Sequence, residues 1–341
     1  MASRILRTAT IASLALMAQF GAAQAQATLA AVKARGSLVC GVSQGLAGFS
    51  QADASGKWTG FDVDFCRAIA AAIFDDPGKV SFKALAADVR FDALKKGEID
   101  VLSRNSTWTM GREAALGLKF TSVNYYDGQG FLVAREPAVM SPLDFADVKI
   151  CAQTGTTNRD NAIDYLSTNN VKHAIVEVGS PDDMVKAYQD GRCNVMTADT
   201  SQLHALQIRL AKPGAAVILP DVISKEPLGP AVRQDDPQWF EIVKWTHFAM
   251  LDAEELGVST KTLTAALASA KPDVKRLIGT DGNYGEQIGL TRDWVVRIVR
   301  AVGNYGESFE RNVGTFSNLG IPRGLNQLWS RGGIQYAPPV R

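Results

Sequence analysis

Two separated segments of this 341-residue chain repeat one order of elements: strand, helix, strand, helix, strand. The first runs from "SLVCGV" to "EIDVLS", and the second runs from "VKICAQ" to "CNVMTA". In the first helix of the first segment, Val63, Cys66, Ile69 and Ile73 recur at helical spacing. Such a βαβαβ order implies parallel strands joined by right-handed crossovers, so the sequence predicts two α/β lobes.

Two extended stretches lie at the junctions of these lobes, "YYDGQGFLVAREP" and "VISKEPLGPAVRQDDP". If the chain crosses between the lobes twice, the two crossings form a hinge about which the lobes can close. The alternative is a pair of ordinary loops. After Pro237 the sequence has a helical pattern without a recognisable catalytic motif.

Residues 1–25 have the pattern of a cleaved signal peptide rather than of a folded segment. Arg4 and Arg7 precede an apolar run from Ile11 to Phe20, and Ala-x-Ala sites follow this run. The run is too short to span a bilayer, although an uncleaved anchor is the alternative. We expect export and release into the periplasm.

The charge balance excludes some partners. The chain has 36 basic and 35 acidic residues, so it has no electrostatic basis for binding nucleic acid or an anionic membrane. We expect no metal and no cofactor, and the cysteine and histidine spacings match no zinc-binding or thiol redox motif. We also expect no catalytic residues. We expect a monomer.

Four cysteines are present, and an even number in an exported chain is compatible with two disulfides. Three pairings are open at this point, and four buried thiols are the alternative. The cysteines are Cys40, Cys66, Cys151 and Cys193.

The segment "SRNSTWTMGR" follows a predicted strand of the first lobe. Its residues Asn105, Thr107 and Thr109 alternate, which predicts a strand with one polar face, and Arg112 follows them. Arginine suits a carboxylate because its planar guanidinium binds both oxygens.

The second lobe offers two further polar positions at the ends of strands. Thr157 lies in "QTGTTNR", where free backbone N–H groups suit an anion, although Thr156 or Thr157 could simply cap the helix. Asp199 ends a strand where ligands bind in such sheets, although it could cap the next helix. A cation, an anion and hydroxyls together complement a zwitterion.

The segment "GFDVDFCRAIAAAI" contains two carboxylates, two residues apart. Acid–base chemistry is one interpretation of such a pair. We favour helix initiation instead, with Asp62 as the N-cap and Asp64 in the first turn, where negative charge is favourable.

Several segments together resemble the periplasmic polar amino-acid binding proteins of ABC importers, which are solute-binding protein family 3. The general L-amino-acid binding subfamily, which includes the glutamate/glutamine/aspartate/asparagine binders, is the most similar. The resemblance covers roughly residues 37–244. It rests on "GFDVDFCRAIAAAI", "FDALKKGEIDVLSRNSTWTMGR", the "GTT" loop, "GRCNVMTAD" and "PLGPAVRQDD".

The resemblance implies roles for five residues. Arg112 would grip the ligand α-carboxylate, with Asn105 and Thr107 at the family's hydroxyl or amide positions. Thr157 would cap the carboxylate, and Asp199 would hold the α-ammonium.

The chain departs from the family at three positions of the ligand pocket. Leu46 and Ala87 stand where many members have aromatic residues that sandwich the ligand side chain. Near Ser43 the acidic residue of some members is absent. These departures suggest a roomier and less selective pocket.

The resemblance also implies a type II periplasmic binding protein fold, with two βαβαβ lobes and a two-strand hinge. Lobe one would comprise residues 28–127 plus 228–341, and lobe two residues 128–227. In such sheets the first and third strands are neighbours, which places Cys151 near Cys193 and leaves Cys40 with Cys66.

The implied function is the capture of free L-amino acids and their delivery to inner-membrane ABC permease subunits with their ATPase. A dehydratase-like enzyme on the same fold is the alternative, and it would need a proton-transfer residue beside the carboxylate site. A sensor module is a further alternative, and it would continue into a transmembrane helix.

Overall fold

The computed structural model describes residues 27–135 and 139–341, so the predicted signal peptide lies outside the described residues. Thirteen helices and fourteen strands are named within these ranges. The strands are β1 (Leu38–Val42), β2 (Gln51–Ala52), β3 (Trp58–Thr59), β4 (Val80–Ala84), β5 (Val101–Leu102), β6 (Leu118–Phe120), β7 (Tyr125–Asp127), β8 (Gln129–Ala134), β9 (Val148–Gln153), β10 (His173–Val178), β11 (Val195–Asp199), β12 (Ala216–Ile218), β13 (Glu226–Leu228) and β14 (Ala231–Arg233). The helices are α1 (Ala27–Arg35), α2 (Phe61–Phe74), α3 (Arg90–Lys95), α4 (Met110–Leu116), α5 (Asn158–Thr168), α6 (Pro181–Gln189), α7 (Thr200–Gln207), α8 (Pro237–Glu255), α9 (Leu263–Leu267), α10 (Pro272–Leu277), α11 (Tyr284–Gln287), α12 (Trp294–Val302) and α13 (Tyr305–Asn312).

Two five-stranded sheets form the centres of two bodies, which we call lobe one and lobe two. The first sheet has the order β4-β1-β5-β14-β6, and the second has the order β10-β9-β11-β8-β12. In each sheet the three strands of the predicted βαβαβ unit are parallel, and two further strands, each antiparallel to its inner neighbour, extend one edge. The sequence therefore predicted the type II binding-protein fold correctly.

Strands β7 and β13 pair with each other and belong to neither large sheet. Their antiparallel register places Glu226 opposite Asp127 and Leu228 opposite Tyr125. The chain passes from lobe one to lobe two through β7 and returns through β13. The two extended stretches are therefore a paired connection rather than independent loops.

The C-terminal helices pack on lobe one. Helices α8 and α12 contact α2, and their apolar residues share one core with β1. Trp239 of α8 is buried in this core, and its indole N–H donates to the backbone oxygen of Asp100 at 2.8 Å. Lobe two has its own cores, one on each face of its sheet. The C-terminal segment thus extends the core of lobe one.

The predicted cap of α2 is wrong. The helix begins at Phe61 and its N-cap is Gly60, whose φ of 133° is available to glycine but rarely to other residues. A Cβ at this position would lie 2.1 Å from the backbone oxygen of Phe49. Asp62 instead accepts a hydrogen bond from Ser103 at 3.0 Å, while Asp64 does lie in the first turn.

The alternating segment after β5 is not a strand. Asn105 has a φ of 35°, which breaks any extended run, and Thr107 makes only an isolated bridge to Leu228. Thr109 is the N-cap of α4 and accepts from the backbone N–H of Arg112 at 3.2 Å. The alternation therefore marks a loop that enters a helix.

Each lobe contains one disulfide. Cys40 of β1 is bonded to Cys66 of α2, and Cys151 of β9 is bonded to Cys193, just before β11. These are the two pairs implied by the resemblance, and the described residues include no free cysteine.

Candidate functional site

A narrow cleft lies where the carboxyl ends of the two sheets meet. The space left between its walls is about 10 Å³, which is room for about one water molecule. All five residues predicted to bind the ligand line this cleft. The lining residues are Ser43, Leu46, Arg90, Arg104, Asn105, Thr107, Arg112, Gln153, Thr156, Thr157, Asn158, Pro181, Asp199 and Gln202.

Arg112 lies in the first turn of α4 and is partly buried. Its Nη1 donates to the backbone oxygen of Thr107 at 2.8 Å, and its guanidinium lies 5.2 Å from the centroid of the Phe91 ring. Burial lowers the pKa of Arg112, and the charges of Asp199 and Glu226 oppose this effect. These contacts fix the direction of the guanidinium.

A buried carboxylate, that of Glu226, joins the two lobes. One of its oxygens accepts from the hydroxyl of Thr107 in lobe one at 2.5 Å and from that of Thr157 in lobe two at 2.9 Å. Its other oxygen accepts from Asn161 at 2.8 Å and from Ser224 at 2.7 Å. Glu226 is 1% exposed. Sequence reasoning missed this residue, although an acid within a hinge stretch was a visible signal.

Asp199 lies at the end of β11 and is 4% exposed. It occupies the N-cap position of α7, but its side chain makes no capping bond and accepts instead from Asn158 at 2.8 Å. Helix capping therefore does not account for this carboxylate.

Asp199 has acidic neighbours in the hinge. Burial, followed by the charges of Asp127 and Glu226, raises its pKa well above the usual range, while Asn158 and Arg112 act in the opposite direction. The pKa of Asp127 is itself raised to about 6, chiefly by burial. Three carboxyl groups thus lie close together beside the cleft, and burial together with their mutual repulsion disfavours the ionised form of Asp199.

The hydroxyl of Thr157 does not cap α5, and Thr156 performs part of that role. The backbone N–H of Asn158 donates to Thr156 Oγ1 at 3.4 Å, and the Thr156 hydroxyl donates to the backbone oxygen of Gln153 at 2.7 Å. Thr157 makes no side-chain cap bond. Its hydroxyl donates instead to the hinge carboxylate of Glu226.

Asn105 also reaches the cleft, and its left-handed backbone turns the chain towards it. Its side-chain oxygen is buried without a hydrogen-bond donor among the described residues.

Two arginines of the cleft, Arg90 and Arg104, were not predicted. Arg90 was hidden in the helical pattern "DVRFDALKKG", whereas Arg104 stood within "SRNSTWTMGR" itself. They are 2% and 4% exposed, respectively. Burial, with the neighbouring arginines, lowers the pKa of Arg90 well below its usual value, and burial lowers that of Arg104 to about 10.

The positions that depart from the family differ in their surroundings. Ser43 and Leu46 line the cleft, whereas Ala87 is buried beside it and its backbone oxygen accepts from Arg90. Trp108 is not part of the wall, because it stacks on Phe120 with centroids 5.8 Å apart.

In residues 27–135 and 139–341, no cluster of three or more His, Cys, Asp or Glu is arranged to hold a metal ion. No helix in the same ranges is both long and apolar enough to cross a membrane.

Comparison with known proteins identifies the class. Residues 38–261 match the bacterial extracellular solute-binding proteins, family 3, and the chain belongs to this family. It is 51% identical over 329 residues to the "General L-amino acid-binding periplasmic protein AapJ" of Rhizobium johnstonii, which covers 96% of each chain.

Two further relatives are similar over nearly their whole length. The "Glutamate/glutamine/aspartate/asparagine-binding protein BztA" of Rhodobacter capsulatus is 44% identical over 98% of this chain and 99% of its own. The structure of an ABC transporter periplasmic binding protein from Brucella ovis with glutathione bound is 48% identical. It superposes with a TM-score of 0.90 over 92% of this chain and 99% of that one.

Proposed function

We propose that this protein is the periplasmic solute-binding component of an amino-acid ABC importer and captures free L-amino acids between its lobes. The observation that carries the proposal is the placing of Arg112 and Asp199 in one cleft from opposite lobes. A zwitterion needs a cation and an anion so arranged, because burying either of its charges unpaired is costly.

In this proposal the α-carboxylate binds Arg112 and the hydroxyl of Thr157, while the α-ammonium binds Asp199. Thr157 donates to Glu226 in the structure, and a hydroxyl has one proton to donate. Ligand binding therefore exchanges this bond for one to the carboxylate. Asn105 and Thr107 contribute the remaining polar groups of the lobe-one wall.

We place the hinge at the pair β7 and β13. This divides the chain into residues 28–127 plus 228–341 and residues 128–227. The space of about 10 Å³ is smaller than any amino acid, so the lobes must separate for a ligand to enter. Gly155 supports close apposition of the lobes, because a Cβ there would lie 2.6 Å from the Cα of Asp88.

The closed, ligand-bound form presents both lobes to permease subunits in the inner membrane. These permease subunits work with their ATPase. The protein acts as a monomer in this scheme. The relatives AapJ and BztA carry names of the same function, and the Brucella relative holds glutathione, whose γ-glutamyl group has a free α-carboxylate and α-ammonium. Ligand favours closure through contacts that are better in the closed form.

The protein acts without catalysis in this proposal. A dehydratase-like activity would require proton transfer to a cyclic acid beside Arg112. Incubation with prephenate- or arogenate-like substrates tests this alternative, and product formation by the purified protein would contradict a role limited to binding.

A thermal-shift panel of L-amino acids and glutathione tests the proposal directly. At 100 times its dissociation constant, a ligand stabilises the protein by about 2.7 kcal/mol, which raises the melting temperature by a few degrees. D-amino acids serve as the matched control, because with both charged groups bound their side chain would point in a different direction from that of the L-isomer. A flat profile across the panel would refute the assignment.

A further inference from the structure

Lobe one carries a second cavity, which lies between the end of α8, helix α10 and the C-terminal tail. Its volume is about 230 Å³, whereas benzene fits in a cavity of about 150 Å³. None of its lining residues is shared with the cleft, and most of them follow residue 261, where the match to family 3 ends. The amino-acid site therefore does not account for this cavity.

A buried acid of α8, Asp252, forms part of the cavity wall. It is 7% exposed, and its Oδ2 is buried without a hydrogen-bond donor in residues 27–135 and 139–341. Burial, followed by the charge of Glu255, raises the pKa of Asp252 to about 7. An unpaired buried carboxylate is costly, so Asp252 requires a donor that the described part of the chain does not supply.

The three acids of the wall differ in their pairing. Asp273 forms an ion pair with Arg276 and lies 3.9 Å from the guanidinium of Arg341. Among the described residues, no side-chain nitrogen of Lys, Arg or His lies within 4.0 Å of a carboxylate oxygen of Asp252 or Glu255. These two acids therefore leave the cavity with an excess of negative charge.

Two aromatic rings form another part of the wall, those of Trp329 and Tyr336. Both side chains are more than half exposed, and their centroids lie 5.6 Å apart with an angle of 59° between the planes. The indole N–H of Trp329 donates to Oε2 of Glu255 at 3.2 Å, which fixes the ring beside this carboxylate. A cation bound by Glu255 is therefore close to an aromatic ring, and aromatic faces attract positive charge.

These features together define the chemistry of an occupant. The unpaired oxygen of Asp252 requires a hydrogen-bond donor, the two unpaired acids favour a positive charge, and the rings favour an apolar body. A quaternary ammonium lacks the donor. A single lysine or arginine side chain of a partner protein would leave part of the volume empty and lose those contacts. A whole small molecule meets all of these requirements.

We propose that this cavity is a second ligand site, which binds a free organic cation with N–H donors, namely a small alkylamine or alkylguanidine. The cationic group donates to Asp252 and is attracted by the charge of Glu255, while the alkyl part packs against Trp329 and Tyr336. The site is separate from that of the amino acid, since the cavity and the cleft have no residue in common. The protein thus binds two classes of solute.

Titration with butylamine and butylguanidine, followed by NMR of the tryptophan indole N–H groups, tests the site at slightly alkaline pH, where Asp252 is ionised. The Trp329 resonance, assigned by its loss in Trp329→Phe, should shift with a dissociation constant of about 1 mM or tighter. This local signal separates the cavity from the cleft, where an amine also meets Asp199. Tetramethylammonium, which has no N–H, and butanol, which has no charge, should each bind at least about tenfold more weakly.

Asp252→Asn keeps the shape of the side chain and removes its charge, so it should weaken butylamine binding by about tenfold or more. Tyr336→Leu should weaken it by about threefold. Glu241→Gln is the matched control, because Glu241 also belongs to α8 and accepts from a tryptophan, Trp245 at 3.0 Å, but does not line the cavity. It should leave the affinity unchanged. If circular dichroism shows that Asp252→Asn does not fold, Glu255→Gln replaces it, with an expected loss of about threefold.

Four results would overturn the second site, and none of them bears on the proposed function. The first is a Trp329 resonance that shifts with neither cation up to about 10 mM. The second is butanol or tetramethylammonium that binds as tightly as butylamine, which would identify a non-selective apolar surface. The third is unchanged affinity in Asp252→Asn. The fourth is tighter binding of a short peptide with one lysine than of butylamine, which would assign the cavity to a partner protein instead of a free ligand.

Discussion

The walls of the cleft come from two lobes of similar topology but carry opposite charge. Lobe one contributes Arg90, Arg104 and Arg112, whereas lobe two contributes Asp199. The hinge adds Glu226, which accepts hydrogen bonds from both lobes. Both sheets have the same parallel βαβαβ core, so the difference lies in the residues at the strand ends rather than in the fold.

This division of charge makes the ligand part of the interface between the lobes. The arginines repel one another, and so do the carboxylates around Asp199. A dipolar ligand placed between them satisfies both walls, and it does so fully only when the lobes are close. Opposite charge on the two walls thus provides a physical basis for coupling ligand binding to closure.

Removing the guanidinium of Arg112 should have the largest effect on binding. Arg112→Ala is expected to weaken amino-acid binding by about 2–5 kcal/mol, because the ligand carboxylate would be buried without its partner. Titration calorimetry measures the change. Arg67→Ala is the control outside the cleft. Unchanged affinity in Arg112→Ala would show that this residue does not bind the ligand. It would also contradict the assignment of the ligand carboxylate to the positively charged wall of lobe one.

The disulfides test whether the lobes are also alike in their stabilisation. The bridge Cys40–Cys66 closes a loop with a sequence separation of 26, and Cys151–Cys193 one of 42. Replacing each pair by alanine should lower the free energy of unfolding by about 3.5 and about 3.9 kcal/mol, respectively, from the entropy of loop closure.

Urea denaturation of the two double variants measures these losses. Ligand affinity at low temperature should change little in either variant, since no cysteine lines the cleft. Reduced wild-type protein is the control and should show the combined loss. If removing one disulfide leaves the free energy of unfolding unchanged, the two lobes differ in how they are stabilised as well as in charge.

Neutralising the carboxylate of Asp199 should weaken ligand binding by a smaller amount, and this effect should depend on pH. Asp199 must be ionised to bind the ammonium, and its pKa is raised well above the usual range by burial and by Asp127 and Glu226. Binding should therefore weaken as pH falls through this raised pKa. Asp199→Asn should cost about 1.5–3 kcal/mol at the pH of tightest binding and remove this dependence.

In the unliganded protein, ionisation of Asp199 has the opposite effect, because it lowers the stability of the fold instead of strengthening binding. A carboxyl with a raised native pKa destabilises the fold as pH rises from about 4, so Asp199→Asn should stabilise the unliganded protein at neutral pH. Glu226→Gln removes one of the charges that raise this pKa and should move the midpoint of binding to lower pH. Asp160→Asn, on the exposed surface of α5, is the control. A wild-type affinity that is constant across acidic pH would contradict this role of Asp199.

The topology was predictable because it follows from local patterns. Alternating strand and helix signals define each βαβαβ unit, and parallel strands allow only one hand of crossover. The resemblance to family 3 located Arg112, Asn105, Thr107, Thr157 and Asp199, and the structure brings all five to one cleft. Local signals failed at Asp62, where Gly60 caps the helix, and in the alternating segment that the backbone of Asn105 breaks.

The sequence by itself determined the two lobes, the two crossings and the residue types at the strand ends. Only the tertiary structure decided that Arg90 and Arg104 join Arg112 on one wall and that Glu226 bonds to both Thr107 and Thr157. The physical reason is the distance between these residues in the chain. Charges and hydrogen bonds act through space, so the meaning of a buried arginine or glutamate depends on neighbours that only folding supplies.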